Sequence, residues 1–154
     1  MILRDLEVND IPVMLNHMKG VAEEAGWIPR LAFDPGHIAL SLTAFIQRPN
    51  VLTIGCLPRE NGPLVGFLIA DVGAPWYSPT PIASERVFYV HPSYRRAGGA
   101  QALINFYQQW ADHHGAAEKL IGNGLGIEAE KVKALCERQG FTAIGYILKQ
   151  VQEV

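Results

Sequence analysis

Two β-rich runs, VLTIGCL and PLVGFLIADV, are separated only by PRENG, and this arrangement constrains the fold more than any other stretch of the sequence. Asn61-Gly62 is a strong turn signal, because both residues tolerate the positive φ angles that tight hairpin turns require. The two runs therefore predict an antiparallel hairpin, around which the other elements must be arranged.

The segments before the hairpin predict one strand and two helices. ILRDLEV has alternating apolar character, which predicts the first strand. IPVMLNHMKGVAEEAG follows Asn9-Asp10 and GHIALSLTAFIQ follows Asp34-Pro35, and both dipeptides are helix-start signals.

The segments after the hairpin predict two β-α units and a final strand. GAPWYSPTPIAS, residues 73–84, holds three prolines and predicts a loop. RVFYV then predicts a strand, residues 98–115 an amphipathic helix, EKLIGNG a weak strand, IEAEKVKALCERQG a helix and FTAIGYILKQV a final strand. The order β-α-α-β-β-β-α-β-α-β indicates an α/β protein (α+β, mixed sheet), antiparallel early and parallel later, with helices on both faces.

Composition and charge limit the class of protein and the partners that are expected. The 154 residues have the size of one domain, placed over 1–154, and 49% hydrophobic with 18% charged residues is typical of a folded globular chain. A net charge of -2 makes nucleic acid an unexpected partner, and no apolar run approaches a membrane span, so a cytoplasmic protein is expected. Cys56 and Cys136 have no Cys-x-x-Cys spacing and predict reduced thiols, with no metal site.

The stretch VHPSYRRAGGAQ, residues 90–101, joins a predicted strand to a predicted helix through Gly98 and Gly99. Such a turn presents backbone N–H groups at the positive end of the helix dipole, where an anion such as phosphate can bind. The glycines would let the ligand approach without a Cβ clash, and Arg95 and Arg96 could fork onto phosphate oxygens. A solvated corner of the protein is the alternative interpretation.

Residues 95–100, RRAGGA, fit the pattern [Q/R]-x-x-G-x-[G/A] after a strand ending V-H-P, and ALCERQGF closes the last predicted helix. Together these resemble motifs of the GNAT superfamily of acetyl-coenzyme A-dependent N-acetyltransferases, strongest over 85–141. The resemblance implies acetyl-coenzyme A as cosubstrate and no metal. The pyrophosphate would lie on the loop and the pantetheine arm along the end of the preceding strand, so the implied coenzyme-binding residues are Tyr89, Val90, Arg95, Arg96, Ala97, Gly98, Gly99 and Ala100.

Acyl transfer to an amine needs a base, because an alkyl amine with a pKa near ~10.4 is almost fully protonated at pH 7. Glu85, at the start of the motif strand, is the candidate base; a solvated strand-end acid paired with an arginine is the alternative. The resemblance implies the Val90 N–H as the oxyanion donor.

Two features depart from the family pattern. Cys136 stands where the family often has a tyrosine that protonates the leaving thiolate, so Tyr146 is the substitute candidate, and Cys136 itself is expected to be a buried, unreactive thiol. Trp76 and Tyr77, on the long loop, could line or lid the amine pocket, or could cover the edge of the core.

The sequence thus predicts an N-acetyltransferase acting on a small-molecule amine or a protein amino group. The alternative is a GNAT-like domain that binds acyl-coenzyme A, or nothing, and serves as an interaction module. Dimers are common in the family, so a homodimer is one expected assembly.

Overall fold

Five strands form one mixed sheet in the order β1-β2-β3-β4-β5 in the computed structural model, which describes residues 1–26, 33–122 and 127–150. Neighbouring strands from β1 to β4 are antiparallel, and β5 is parallel to β4. The strands are β1 (Ile2–Asp5), β2 (Val51–Leu57), β3 (Gly66–Gly73), β4 (Ile82–Val90) and β5 (Lys119–Leu120).

Four α-helices and two short 3₁₀ turns complete the described fold. The helices are α1 (Ile11–Glu24), α2 (Pro35–Gln47), α3 (Gly99–His113) and α4 (Ala129–Arg138), and the turns are Val8–Asp10 and Pro92–Tyr94. The predicted start of α2 is confirmed, since the Asp34 side chain accepts a hydrogen bond from the His37 N–H at 3.0 Å.

The helices pack on both faces of the sheet, as predicted. One core joins α3 to the sheet through Leu103, Tyr107 and Ala111, packed with Leu68 and Val90. The core on the opposite face joins α1 and α2 to the sheet, and it contains Met14, Met18, Leu42, Phe67 and Ile69. The strands β2, β3 and β4 therefore contribute side chains to both cores, which explains why β2 and β3 read as nearly continuous apolar runs. None of the helices in the described ranges has the length and apolar character that crossing a bilayer requires.

The predicted hairpin is confirmed, with β2 and β3 paired from Val51↔Asp71 to Cys56↔Gly66 and Asn61 at a φ of 56°.

The prediction of a loop over 73–84 is wrong at both ends. Gly73 still belongs to β3, and β4 begins at Ile82, so the loop covers only 74–81. Pro81 is the last proline of the loop. The residues after it have main-chain N–H groups that can pair with the neighbouring strands, so β4 begins there.

The predicted final strand, FTAIGYILKQV, is wrong over residues 141–150, which contain no regular secondary structure; Val151 lies outside the described residues. The side chains of Ile144, Tyr146, Ile147 and Leu148 are exposed. A β-favouring composition produces a strand only where a neighbouring strand accepts its hydrogen bonds. Within the described chain, the main chain of residues 142–150 makes no such bond.

Candidate active site

The edge of β4 that faces β5 is paired over only part of its length. β5 pairs with β4 at Ala83↔Lys119 and Ser84↔Leu120, whereas β4 continues to Val90. Among the described residues no strand pairs with residues 85–90 on that side. Among the described residues the edge of β4 beyond Ser84 therefore has no partner strand; we call this unpaired edge beside β5 the gap, and an extended ligand could pair with its main chain.

The hydrogen-bond alternation of β4 determines which main-chain groups face this gap. The His91 N–H donates to the Val65 carbonyl of the β3 side at 2.8 Å. In an antiparallel pair the bonding direction alternates, so Tyr89 bonds toward Phe67 of β3 while Phe88 and Val90 present their N–H and C=O to the gap. Val90 is placed as expected. The main chain of Tyr89 is not available there, and its ring packs 5.1 Å from that of His17.

A β-bulge in β4 lies where the pairing of β4 with β5 ends. Ile69 pairs with Val87 and Ala70 pairs with Glu85, which leaves Arg86 as the extra residue. The Arg86 guanidinium donates to both carboxylate oxygens of Asp71, at 2.7 and 3.2 Å. A bulge bends its strand and increases the local twist, and this one follows directly after the last β4 residue that pairs with β5.

Glu85 lies at the apex of the gap. Its Oε2 accepts a hydrogen bond from the Gly122 N–H at 3.2 Å, two residues beyond the end of β5. Burial raises the pKa of Glu85 to about 7, and the Gly122 hydrogen bond and the Arg86 charge offset only part of that effect. The alternative expectation, an ion pair with an arginine, is not met, since Arg86 pairs with Asp71 instead. A carboxyl group with a pKa near neutrality can act as a general base.

The loop after β4 presents unpaired N–H groups that could bind an anion beside the other end of the gap. Gly98 precedes α3 with a φ of 85°, a conformation that favours glycine, and a Cβ atom there would meet nothing within 4 Å. The N–H groups of residues 98–101 have no partner within the described chain. They lie at the start of a 15-residue helix that has no side-chain N-cap, so they can bind an anion.

The reason expected for Gly99 is wrong. A Cβ atom on Gly99 would lie 3.2 Å from the Cys56 Sγ and 3.6 Å from the Met1 Cε, so it would point into the protein and not toward a ligand. Gly99 is buried and allows the start of α3 to pack closely on β2. Ala97 is also placed differently from expectation, because its N–H already donates to the Tyr94 carbonyl at 3.1 Å.

The two loop arginines have different surroundings. Arg95 donates to the Val90 carbonyl and forms ion pairs with Glu24 and Glu128, so the expectation that it forks onto phosphate does not fit its contacts. Arg96 is exposed and forms no ion pair or side-chain hydrogen bond with the described residues. Both arginines line an open cleft of about 310 Å³ with Ser93, Glu128 and Lys131, and Arg96 is the one of the two without a carboxylate partner among the described residues. No sequence signal connected Arg95 with Glu24, 71 positions away.

The candidate acids of the sequence analysis differ in placement. Cys136 is buried in α4, where burial and then the Glu85 charge raise the pKa of its thiol, in agreement with an unreactive cysteine. Tyr146 is 94% exposed in the irregular segment after α4, so the structure does not bring it to Glu85. Tyr107, which the sequence placed only in an apolar stripe, donates to the Leu120 carbonyl at 2.7 Å and fixes the end of β5.

Trp76 and Tyr77 project from the 74–81 loop and contact each other edge to face, with ring centroids 5.5 Å apart. Trp76 is 96% exposed, so it does not cover the core. The loop borders a cleft of about 410 Å³ beside the start of β4, lined by Arg48, Asn50, Asp71, Pro75, Ser84 and Arg86, and Glu85 is not among its lining residues. Across the described ranges no three His, Cys, Asp or Glu side chains are grouped in a way that could hold a metal ion.

Comparison with known proteins places these features in a family. Residues 20–141 match the family model described as the acetyltransferase (GNAT) family. A Trypanosoma brucei acetyltransferase structure aligns with a TM-score of 0.71 at 21% identity, covering 98% of this chain and 99% of that one. An aminoglycoside acetyltransferase from an uncultured soil metagenomic sample, solved with sisomicin, gives 0.66 at 19% identity, covering 99% and 95%. An Acinetobacter haemolyticus aminoglycoside 6'-N-acetyltransferase gives 0.70 at 16% identity, covering 100% and 99%. No curated protein matches the sequence.

Proposed function

The chain belongs to the GNAT family of acetyltransferases, and from this premise we propose that it moves an acetyl group from acetyl-coenzyme A to a primary amine of a small molecule or a protein. The observation that carries the proposal is the gap between β4 and β5, with a carboxyl group of raised pKa at its apex and a free helix N-terminus at its mouth. Family membership supports acetyl-coenzyme A as the cosubstrate.

The residues present fit this cosubstrate. The free N–H groups of residues 98–101 and the unpaired Arg96 would hold the pyrophosphate. The N–H and C=O groups of Phe88 and the Val90 N–H would pair with the amides of the pantetheine arm, as an added strand does, while the Val90 C=O accepts from Arg95. The five residue-to-residue steps from Glu85 to Val90 span about 17 Å at roughly 3.3 Å each, so the thioester would lie toward the apex.

Glu85 would then remove the proton from the acceptor. With a pKa of about 7 it is half ionised at neutral pH, and it can take a proton from an ammonium group directly or through a water molecule. The neutral nitrogen would form the new N–C bond, the C–S bond would break with its electron pair leaving on sulfur, and the nitrogen would lose its second proton to the departing thiolate. A coenzyme A thiol resembles cysteine, whose pKa near ~8.5 makes the thiolate a stable leaving group without an acid at the Cys136 position.

The strand alternation also bears on the oxyanion donor. The Val90 N–H lies five residues from Glu85, whereas the Phe88 N–H faces the same gap only three residues away, or about 10 Å. A reacting carbonyl must lie near both the donor and the base. The Phe88 N–H is therefore the better placed donor, with the Val90 N–H pairing farther along the pantetheine arm.

A second candidate is a domain that binds acyl-coenzyme A without turnover. The observation that favours it is Cys136, buried where many family members carry a tyrosine, together with the remote position of Tyr146. Both candidates require the same binding gap, so only turnover separates them.

Thiol release from acetyl-coenzyme A tests the proposal, using a panel of simple amines, aminoglycosides and peptides with free α- or ε-amino groups. We expect release that depends on one class of amine and is lost in Glu85→Gln. Tight coenzyme A binding with no amine-dependent release from any class would favour the binding module instead.

A further inference from the structure

The guanidinium of Arg95 joins three parts of the chain. Its Nε donates to the Val90 carbonyl at 2.9 Å, and Nη1 and Nη2 donate to the two carboxylate oxygens of Glu24 at 2.8 and 2.9 Å. Nη1 also donates to Glu128 Oε2 at 3.1 Å. Glu24 is the last residue of α1 and Glu128 directly precedes α4, so one side chain connects both helices to the end of β4.

The two carboxylates are themselves held in place. Hydrogen bonding to Arg95 lowers the pKa of Glu24, and contacts with Lys131 and then Arg95 lower the pKa of Glu128, so both are ionised at neutral pH. Glu128 adopts a φ of 46°, an unfavourable angle for glutamate. Its contacts with Arg95 at 3.1 Å and Lys131 at 2.7 Å hold it there.

These contacts leave Arg95 poorly suited to bind phosphate. Four of its five N–H donors are directed at Val90, Glu24 and Glu128, and a phosphate at the same place would face two carboxylates. The Val90 carbonyl that it does contact belongs to the residue whose main chain faces the gap between β4 and β5.

We propose that Arg95 is a positioning residue: together with Glu24 and Glu128 it forms a clamp that fixes the Val90 main chain for the pantetheine arm and connects α1 and α4 to the coenzyme site. This rests on the proposed function, since the clamp acts on the same site. The phosphates are left to the N–H groups of residues 98–101 and to Arg96.

Glu24→Gln separates this proposal from a phosphate-binding Arg95, because the two predict opposite signs. If the clamp positions Val90, loss of the Glu24 charge loosens it, and the Kd for coenzyme A measured by calorimetry rises by about 3- to 10-fold. If Arg95 were a phosphate ligand restrained by Glu24, the same change would release it and coenzyme A would bind more tightly. Tighter or unchanged binding by Glu24→Gln overturns the proposal.

Double mutants and a shortened substrate extend the test, with Arg96→Gln as the matched control. Arg95→Gln should lower kcat/KM by about the same factor for acetyl-coenzyme A and for S-acetylpantetheine, whereas Arg96→Gln should affect acetyl-coenzyme A more. The effects of Glu24→Gln and Arg95→Gln should not add, whereas those of Glu24→Gln and Arg96→Gln should. A loss in Arg95→Gln confined to acetyl-coenzyme A would identify it as a phosphate ligand and contradict the clamp.

Failure of the clamp and failure of the proposed function are distinguishable. A wild-type protein that does not bind coenzyme A contradicts the function, and the clamp is then tested by amide hydrogen exchange over residues 86–91. We expect Arg95→Gln to accelerate exchange there several-fold, with Arg95→Lys intermediate because a lysine cannot bridge all three partners. Unchanged exchange in a folded Arg95→Gln variant would overturn the clamp.

Discussion

Glu85 Oε2 and the Gly122 N–H are joined by a 3.2 Å hydrogen bond at the point where the pairing of β4 with β5 ends. This contact holds the carboxylate at the apex of the gap, and burial there raises the pKa of Glu85 to about 7. The position and the raised pKa have the same cause, because the side chain that reaches the apex must leave water.

The pH dependence of turnover should report this pKa. Corrected for the protonated fraction of the acceptor amine, the form that Glu85 deprotonates, kcat/KM should rise with pH up to about 7 and level off above it, because only ionised Glu85 accepts a proton. Glu85→Gln should lower kcat/KM by roughly 100-fold and remove the break. Glu118→Gln, an exposed acid next to β5, is the matched control and should keep the wild-type profile. A break that persists in Glu85→Gln would assign the titration to another group.

The same pKa predicts a cost in stability. A carboxyl group whose pKa is raised on folding favours its neutral form, so its contribution is fully present below its unfolded pKa of about 4.5 and is lost as pH rises through about 7. Glu85→Gln should therefore raise the free energy of unfolding at pH 8 by about 1–3 kcal/mol and have little effect near pH 4.5. Urea unfolding at the two pH values measures this, and a destabilised variant at pH 8 would contradict the assigned burial.

Gly99 should act through packing against Cys56. The Cβ atom that Gly99→Ala adds would lie only 3.2 Å from the Cys56 Sγ. The variant should therefore destabilise the fold by about 1–3 kcal/mol, a fall in Tm of several degrees. Cys56→Ala removes the sulfur atom that the added methyl group would meet. The double variant should therefore lose less free energy of unfolding than the sum of the two single losses. Gly99→Ala with wild-type stability but no coenzyme A binding would instead support the original expectation that the ligand approaches this glycine.

Trp76 should affect acceptor binding and not stability. Because its side chain is 96% exposed, Trp76→Ala should change Tm by less than about 1 °C. If the loop covers the acceptor cleft, the acceptor KM should rise at least about threefold, while the KM for acetyl-coenzyme A stays within about twofold. Leu40→Ala, another exposed apolar residue, on α2, is the control. An unchanged acceptor KM would exclude Trp76 from the acceptor site.

The sequence predicted those features that depend on short-range signals. The hairpin follows from Asn61-Gly62, and the turn that opens α3 follows from glycines placed between a strand and a helix. The surroundings of Glu85 were predicted only as one of two alternatives, because they depend on residues that follow β5. The contact of Arg95 with Glu24 could not be predicted, since it joins residues 71 positions apart and belongs to no motif.

Two errors have a common physical cause. The composition of residues 141–150 favours a strand, but a strand requires a partner edge, which no local pattern specifies. Likewise, the sequence showed that Gly99 needs a small residue but not in which direction its absent side chain would point. Both outcomes depend on tertiary neighbours. Residues 141–150 have no partner strand among the described residues, and a Cβ atom on Gly99 would point at the Cys56 side chain.

Coenzyme A binding to the wild-type protein, followed by thermal unfolding, tests the central claim that the β4–β5 gap and the start of α3 form a coenzyme site. At a concentration 100 times Kd, binding should stabilise the protein by about 2.7 kcal/mol and raise Tm by several degrees, and pantetheine lacking the nucleotide should give a much smaller shift. No change in Tm at millimolar coenzyme A would contradict the claim.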